Sequence, residues 1–366
     1  MDENDDLSDF VEDIERIRSN TAARTLYHQP RTDADTVNST RSLHSSDIEY
    51  ITIHGRRYCG DYYMPNDEAE QERGQMLHSI YKKIFNDCLT SVPLHNPTKI
   101  LDVGTGTGEW VMDMGDQYPK ADVIGTDIAR IQDTAVPRNV FFEIDDAEYE
   151  DGWTWGEEFD LVHFRSMQGA FMDWKYVYRE AFRCLKPGGY IEVVDFDNHT
   201  RLMSYFENDP DTVNLLAAVN EASNRAGRPR GDAHLDPKLL KELGFVNVSI
   251  SERTIPTGAW PKDEDEQNLG KHFLVAQLYG VEAVCLRPLT EYMGWSIEDV
   301  RKSVSYVQQR MKSVAMNKET SQGMGFVVKV LVGMKPSDDD IPEVDIPDEE
   351  SIKTMTNLNG NAAFKK

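Results

Sequence analysis

The run Ile100-Leu101-Asp102-Val103-Gly104-Thr105-Gly106-Thr107-Gly108-Glu109-Trp110 constrains this chain more than any other stretch. An apolar strand passes through three alternate glycines into a helix, a path that brings backbone N–H groups and a ligand closer together than any Cβ would allow. Asp102 and Thr105 carry polar atoms to the mouth of the strand, while Gly104, Gly106 and Gly108 clear the approach. Dinucleotide folds use G-x-G-x-x-G to aim a helix N-terminus at a pyrophosphate. Here the spacing is G-x-G-x-G with an acid two positions earlier, which suits a nucleotide-like ligand without phosphates.

Two further strands end in polar residues. Residues 121–126 lead to Asp127, about 20 residues past the glycines, where a carboxylate pairs with ribose hydroxyls. Residues 140–144 lead to Asp145-Asp146-Ala147, placed to reach an adenine. Three consecutive strands thus finish in polar groups at one sheet edge, where open α/β folds bind ligands. The alternatives at this point are a Rossmann fold for NAD and a ligand-free relic of such a site.

With Phe159-Asp160-Leu161-Val162-His163-Phe164 and Leu185-Lys186-Pro187-Gly188-Gly189-Tyr190-Ile191-Glu192 following in order, the chain resembles the class I S-adenosylmethionine-dependent methyltransferases over about residues 58–336. Tyr63-Met64-Pro65-Asn66-Asp67-Glu68, Asp127-Ile128 with Ile131-Gln132, Asp173-Trp174 and Trp260-Pro261-Lys262-Asp263 narrow the resemblance to the fungal LaeA-like group, named for a global regulator of secondary metabolism. The resemblance implies an α/β, Rossmann-like seven-stranded sheet with helices on both faces and an antiparallel last strand. It implies S-adenosyl-L-methionine as methyl donor and S-adenosyl-L-homocysteine as product. The donor residues it implies are Tyr63 near the methionine moiety, the motif residues above, Asp127, Ile128, Gln132, Asp145, Asp146 and Ala147, then Arg165 and Met167 just past the fourth strand. Arg165 suits the donor's carboxylate, with pairing to an acidic neighbour as the structural alternative, and for Tyr63 the alternative is that it and Tyr62 staple the entry of the following helix.

Composition narrows the partners. The formal net charge of −25 over 366 residues is partly tail, since residues 1–20 supply −6 and residues 338–350 supply −8. No Lys/Arg cluster stands out to neutralise phosphates, and an overall negative field disfavours nucleic acid as substrate. No apolar run approaches the roughly 20 residues of a membrane span, and the acidic N-terminus does not read as a targeting peptide. A cytoplasmic and possibly nuclear protein is the expectation. Cys59, Cys88, Cys184 and Cys285 are scattered singly, which points to buried free thiols rather than a metal site.

Along the chain, residues 1–45 and 337–366 are polar or acidic and read as disordered. Residues 46–95 read as a hairpin around His54-Gly55 and a cap helix whose apolar stripe runs from Met76 to Leu89. Residues 96–336 form the catalytic domain, with a helical insertion at 257–322 that is too long for a loop. Such an insertion can cover an acceptor, and His272 and Tyr279 on it are candidates to reach one. Asp195 to His199 end the fifth strand above the sheet, where His199 is the candidate general base. His163, inside a strand, reads as a core histidine. Two functions fit: methyl transfer to oxygen or nitrogen of a small secondary metabolite or modified peptide, and a regulatory role through protein partners.

Overall fold

The computed structural model describes residues 27–28 and 48–337. The acidic tail and, apart from residues 27–28, the N-terminal arm lie outside the described residues. Strand β1 (Tyr27–His28) pairs with the later segment Ala135–Val136. Strands β2 (Tyr50–Ile53) and β3 (Arg56–Cys59) form the hairpin expected around His54-Gly55.

Helix α1 (Glu68–Ile84) begins at Asp67, whose carboxylate accepts the Glu70 N–H. It buries Met76, Leu77, Ile80 and Tyr81, as the 3.6-residue spacing predicts. The spacing also predicts continuation to Leu89. Instead Asn86 and Asp87 enter the left-handed region, at φ 52° and 60°, and end the helix, leaving Cys88 exposed while Cys59, Cys184 and Cys285 are buried.

The nucleotide-type half follows as β4 (Lys99–Val103), α2 (Glu109–Gln117), β5 (Asp122–Asp127), β6 (Ala135–Val136), β7 (Val140–Ile144), β8 (Phe159–Arg165), α3 (Trp174–Cys184) and β9 (Leu185–Phe196). Sequence patterning assigns residues 186–189 to a turn before the fifth strand. In the structure they belong to β9, where Gly188 N–H donates to the Lys335 carbonyl and Lys335 N–H to the Gly189 carbonyl. The chain continues through α4 (Thr200–Met203), α5 (Pro210–Arg225), α6 (Pro237–Glu242) and β10 (Val246–Pro256). The insertion helices α7 (Glu264–Tyr292) and α8 (Ile297–Met316) then lead to β11 (Gly325–Met334).

The main sheet has the order β10-β11-β9-β8-β4-β5-β7. Strands β9, β8, β4, β5 and β7 are parallel, and β11 runs antiparallel between β10 and β9. Strand order reverses between β4 and β8, so the crevice at their carboxyl ends is the switch point where such sheets bind ligands. One apolar cluster joins α1, α5, α7 and α8 over β9 and β11, a second packs α3 and α6 on the opposite face, and a third seats α2 against β4, β5 and β7.

The insertion is fastened at one glycine. Gly258 leaves β10 at φ 88°, its N–H donates to the Gly270 carbonyl, and a Cβ there would lie 2.1 Å from the backbone oxygen of Ala315 in α8. Strain and backbone collision then coincide. Gly258→Ala is expected to lower unfolding free energy by about 3 kcal/mol, read as a lower urea midpoint at unchanged slope. A midpoint within error of wild type would contradict this docking.

Candidate active site

The glycine loop is clamped from several directions. The Gly104 and Thr105 N–H groups donate to the Thr126 carbonyl, and the Gly106 N–H donates to Asp127 Oδ2 at 2.9 Å. Gln132 Nε2 donates to the carbonyls of Gly106 and Ala129. Each glycine has its own reason. At Gly104 (φ 73°) a Cβ would fall 2.4 Å from the Met167 Cε, and at Gly108 (φ 91°) 2.2 Å from the Phe142 ring. At Gly106 (φ 59°) a Cβ would meet nothing within 4 Å. Gly106 therefore borders open space, whereas Gly108 makes room for packing.

That space is a cleft of about 670 Å³ at the carboxyl ends of β4, β5, β7 and β8. It brings together Asp102, Gly104, Thr105, Gly106, Asp127, Ile128, Asp145, Asp146, Ala147, Arg165 and Met167 from the sequence-read donor set. Gly108 and Gln132 are not on its lining. They act behind it, on the Phe142 contact and on the loop carbonyls. Tyr63 also departs from the expectation: it lines a second cavity, where its hydroxyl donates to the Gln168 carbonyl at 2.7 Å, while its neighbour Tyr62 lines both.

Asp102 is buried and bonded to His163 Nδ1 at 2.7 Å, and the His163 ring stacks on Trp110 with centroids 3.9 Å apart. His163 is thus a satisfied core residue that positions Asp102. Burial pushes the Asp127 carboxyl up to about 6, with the Asp102 charge adding to it, while the N–H groups of Ala129 and Gly106 pull the other way. Arg165 stands over the Tyr81 ring, 5.0 Å from its centroid, and its Nη2 donates to His78 Nδ1 at 3.1 Å. Burial and the Arg165 charge lower the His78 pKa, so the ring is neutral and its Nε2–H donates to Asp113. Among the described residues Arg165 forms no ion pair with a carboxylate, which leaves its charge facing the cleft.

These features fit S-adenosylmethionine. Nine carboxylates and three arginines line the cleft, a balance that favours a cationic sulfonium and opposes a pyrophosphate. Asp127 supplies an acceptor at the tip of β5 and, among the described residues, Arg165 supplies a cation with no carboxylate partner and Thr105 a buried hydroxyl with no hydrogen-bond partner. Among the described residues no group of three or more His, Cys, Asp or Glu side chains is arranged to hold a metal.

The second cavity, about 240 Å³, shares Tyr62, Met64, Arg73, Leu77 and Ser166 with the first. Helix α7 contributes Gln277, Gly280, Val281, Val284 and Cys285, one stripe at helical spacing. His272 is not on that stripe; five residues before Gln277 it lies about 140° around the helix, and it lines neither cavity. Tyr279 is 52% exposed. His199 does line this cavity, at φ 57°, with Nδ1 buried and unpartnered. Burial, aided by the Arg230 charge, pushes its pKa down to about 4. Arg73, Arg228 and Arg230 are functional candidates that sequence patterning missed, Arg228 because 226–229 reads as a helix break and Arg230 because it follows that break directly.

A methyltransferase domain model matches residues 73–249. The chain is 35% identical to Methyltransferase pytC of Aspergillus terreus over 313 residues, 82% of this chain and 93% of that protein. The chain belongs to the S-adenosylmethionine-dependent methyltransferases, in the group that includes the LaeA-like proteins. It is 33% identical to the secondary metabolism regulator LAE1 of Cochliobolus heterostrophus over 70% of this chain and 86% of that one. Its identity to the secondary metabolism regulator laeA of Aspergillus flavus is 30%, over 79% of each. A solved phosphoethanolamine N-methyltransferase 2 of Haemonchus contortus, in complex with S-adenosyl-L-methionine, is 15% identical with a TM-score of 0.40 over 72% of this chain and 53% of that one. No residue role transfers at that distance.

The Asp127 titration gives this methyltransferase a pH signature. Above about pH 6 the carboxylate is ionised and would accept from the diol of a ribose bound there; as pH falls through 6 it protonates and that acceptor is lost. The affinity for S-adenosylhomocysteine, measured by calorimetry, should weaken about tenfold between pH 7 and pH 5. Asp127→Asn should bind weakly and without that slope. A pH-independent wild type would contradict the assignment.

Proposed function

We propose that this methyltransferase acts on an oxygen or nitrogen of a small secondary metabolite or modified peptide, bound in the second cavity, in the cytoplasm or nucleus. The observation that carries this reading is the pairing of two cavities through one wall. A large acidic cleft suits the donor, and a smaller, mostly apolar cavity beneath the insertion suits an acceptor. Similarity to a protein named as a methyltransferase over 93% of its length supports the enzymatic reading.

When bound, the donor supplies an activated sulfonium methyl that a nucleophile displaces, leaving the electron pair on sulfur. The chain's task is then to hold two partners at near-attack distance in a dry pocket. Asp127 orients the donor's ribose side and Arg165 its carboxylate end. Helices α7 and α8 wall one side of the second cavity, where Val281, Val307 and Met311 present apolar surface that disfavours water beside an acceptor. His199, neutral above about pH 4 and on the cavity lining, is the candidate to take the proton of a hydroxyl or amine acceptor.

A second reading, a regulatory protein acting through partners, is favoured by the relatives that are named as regulators. The two separate in one assay: radiolabelled donor with a fungal extract, resolved into small molecules and protein bands. Label in the small-molecule fraction is expected. His199→Ala should cut it roughly tenfold or more while S-adenosylhomocysteine affinity stays within error. Label confined to protein, or absent from both fractions despite donor binding, would contradict the small-molecule reading.

A further inference from the structure

The second cavity contains a charge that nothing among the described residues answers. Its wall is largely apolar, with Leu202, Phe206, Leu215, Val219 and Phe326 among its members. Into it, from the loop after α5, comes Arg230. The guanidinium Nη1 donates to the Tyr63 hydroxyl at 2.8 Å and its carbon lies 5.8 Å from the Tyr63 ring centroid. Among the described residues Arg230 forms no ion pair with a carboxylate.

The other charged groups on the lining are matched. Arg73 pairs with Glu70. Asp195 Oδ2 accepts the Met167 N–H and lies 3.2 Å from His234 Nε2, while its Oδ1 accepts the Phe196 N–H. Leaving a half-buried cation facing an apolar cavity is costly unless a partner arrives.

Arg230 is also held in place rather than left to swing into solvent. Tyr63, its hydrogen-bond acceptor, is itself tied to the Gln168 carbonyl. Gly169, at φ 71°, makes room for both: a Cβ there would lie 3.1 Å from the Tyr63 hydroxyl and 3.2 Å from Arg230 Cγ. A fixed guanidinium with spare N–H donors is the side chain that recognises a planar carboxylate with two parallel hydrogen bonds.

We propose that Arg230 determines acceptor specificity by binding a carboxylate, so that the acceptor is a small apolar carboxylic acid. This rests on the second cavity being the acceptor site. Tyr63 and Arg230 form a polar end of the cavity whose charge is Arg230's, and the aliphatic and aromatic wall from α5, α7 and β11 receives the apolar body. The cavity's 240 Å³ fits a compact acid rather than a long chain.

The test is calorimetric titration of 2-naphthoate and of its neutral counterpart 2-naphthamide into protein saturated with S-adenosylhomocysteine. Wild type should prefer the acid at least tenfold. Arg230→Met, checked for folding by its S-adenosylhomocysteine affinity, should lose that preference, and Arg230→Lys should recover part of it. Equal binding of acid and amide to wild type overturns the proposal. So does a preference that survives in Arg230→Met, and so does failure of the acid to bind the saturated protein. Failure of wild type to bind S-adenosylhomocysteine at all instead overturns the donor-site reading beneath it.

Discussion

The hydrogen bond from the Gly106 N–H to the Asp127 carboxylate ties the end of β5 to the loop that leaves β4, and the binding cleft depends on that tie. A loop of alternating glycines has little to order it except backbone pairing, because these residues lose the most conformational freedom on folding. The Thr126 carbonyl takes two of its N–H groups and Gln132 caps one of its carbonyls. Asp127 is then asked for two incompatible things: to be ionised for hydrogen bonding and to sit where water is scarce. The compromise is an acid whose pKa is raised to about 6.

Beneath the loop lies a buried polar layer. Asp102 bonds to His163, His163 stacks on Trp110, and Glu192 accepts from Thr90 and from the Ser91 backbone and hydroxyl. Buried carboxylates are tolerated only when matched in this way. The layer links β4, β8 and β9 to the segment after α1, so the acid at the mouth of β4 is set by strands on either side of the switch point. Above the sheet the logic inverts. Arg165, His78, Asp113 and Lys82 form a chain in which hydrogen bonds from His78 and Lys82 outweigh burial and hold the Asp113 carboxyl low, leaving Arg165 without a carboxylate of its own among the described residues.

The donor side of this site was legible in the sequence because its chemistry is local. Asp127 and Asp145 each follow or end an apolar run and Asp102 stands next to last in another, so strand direction fixes which end of the sheet they occupy. The seven-stranded sheet and the antiparallel β11 followed from the family resemblance, whereas the strand order came only with the structure. Roles within the motif were less legible: Gly108 looks like ligand clearance in a one-dimensional pattern, but the Phe142 ring that needs its space comes from two strands away. Tyr63 and Tyr62 are adjacent in sequence yet differ in the cavities they reach.

The acceptor side resisted for a different reason. It is assembled from α1, α4, α5, α7, α8, β9, β11 and several loops, and no single stretch carries its pattern. Helix α7 buries Phe273, Leu274, Val275 and Ala276 in succession, so its apolar residues do not announce one face and His272 cannot be ranked against Gln277 or Cys285 by periodicity. Arg230, which directly follows a segment that reads as a break between helices, becomes meaningful only once Tyr63 is beside it. The most direct test of the whole account is a crystal structure with S-adenosylhomocysteine. The account predicts its ribose on Asp127, its adenine beside Asp145 to Ala147 and its carboxylate at Arg165. Density for the ligand elsewhere, or a ribose away from Asp127 with the cleft filled by side chains, would contradict it.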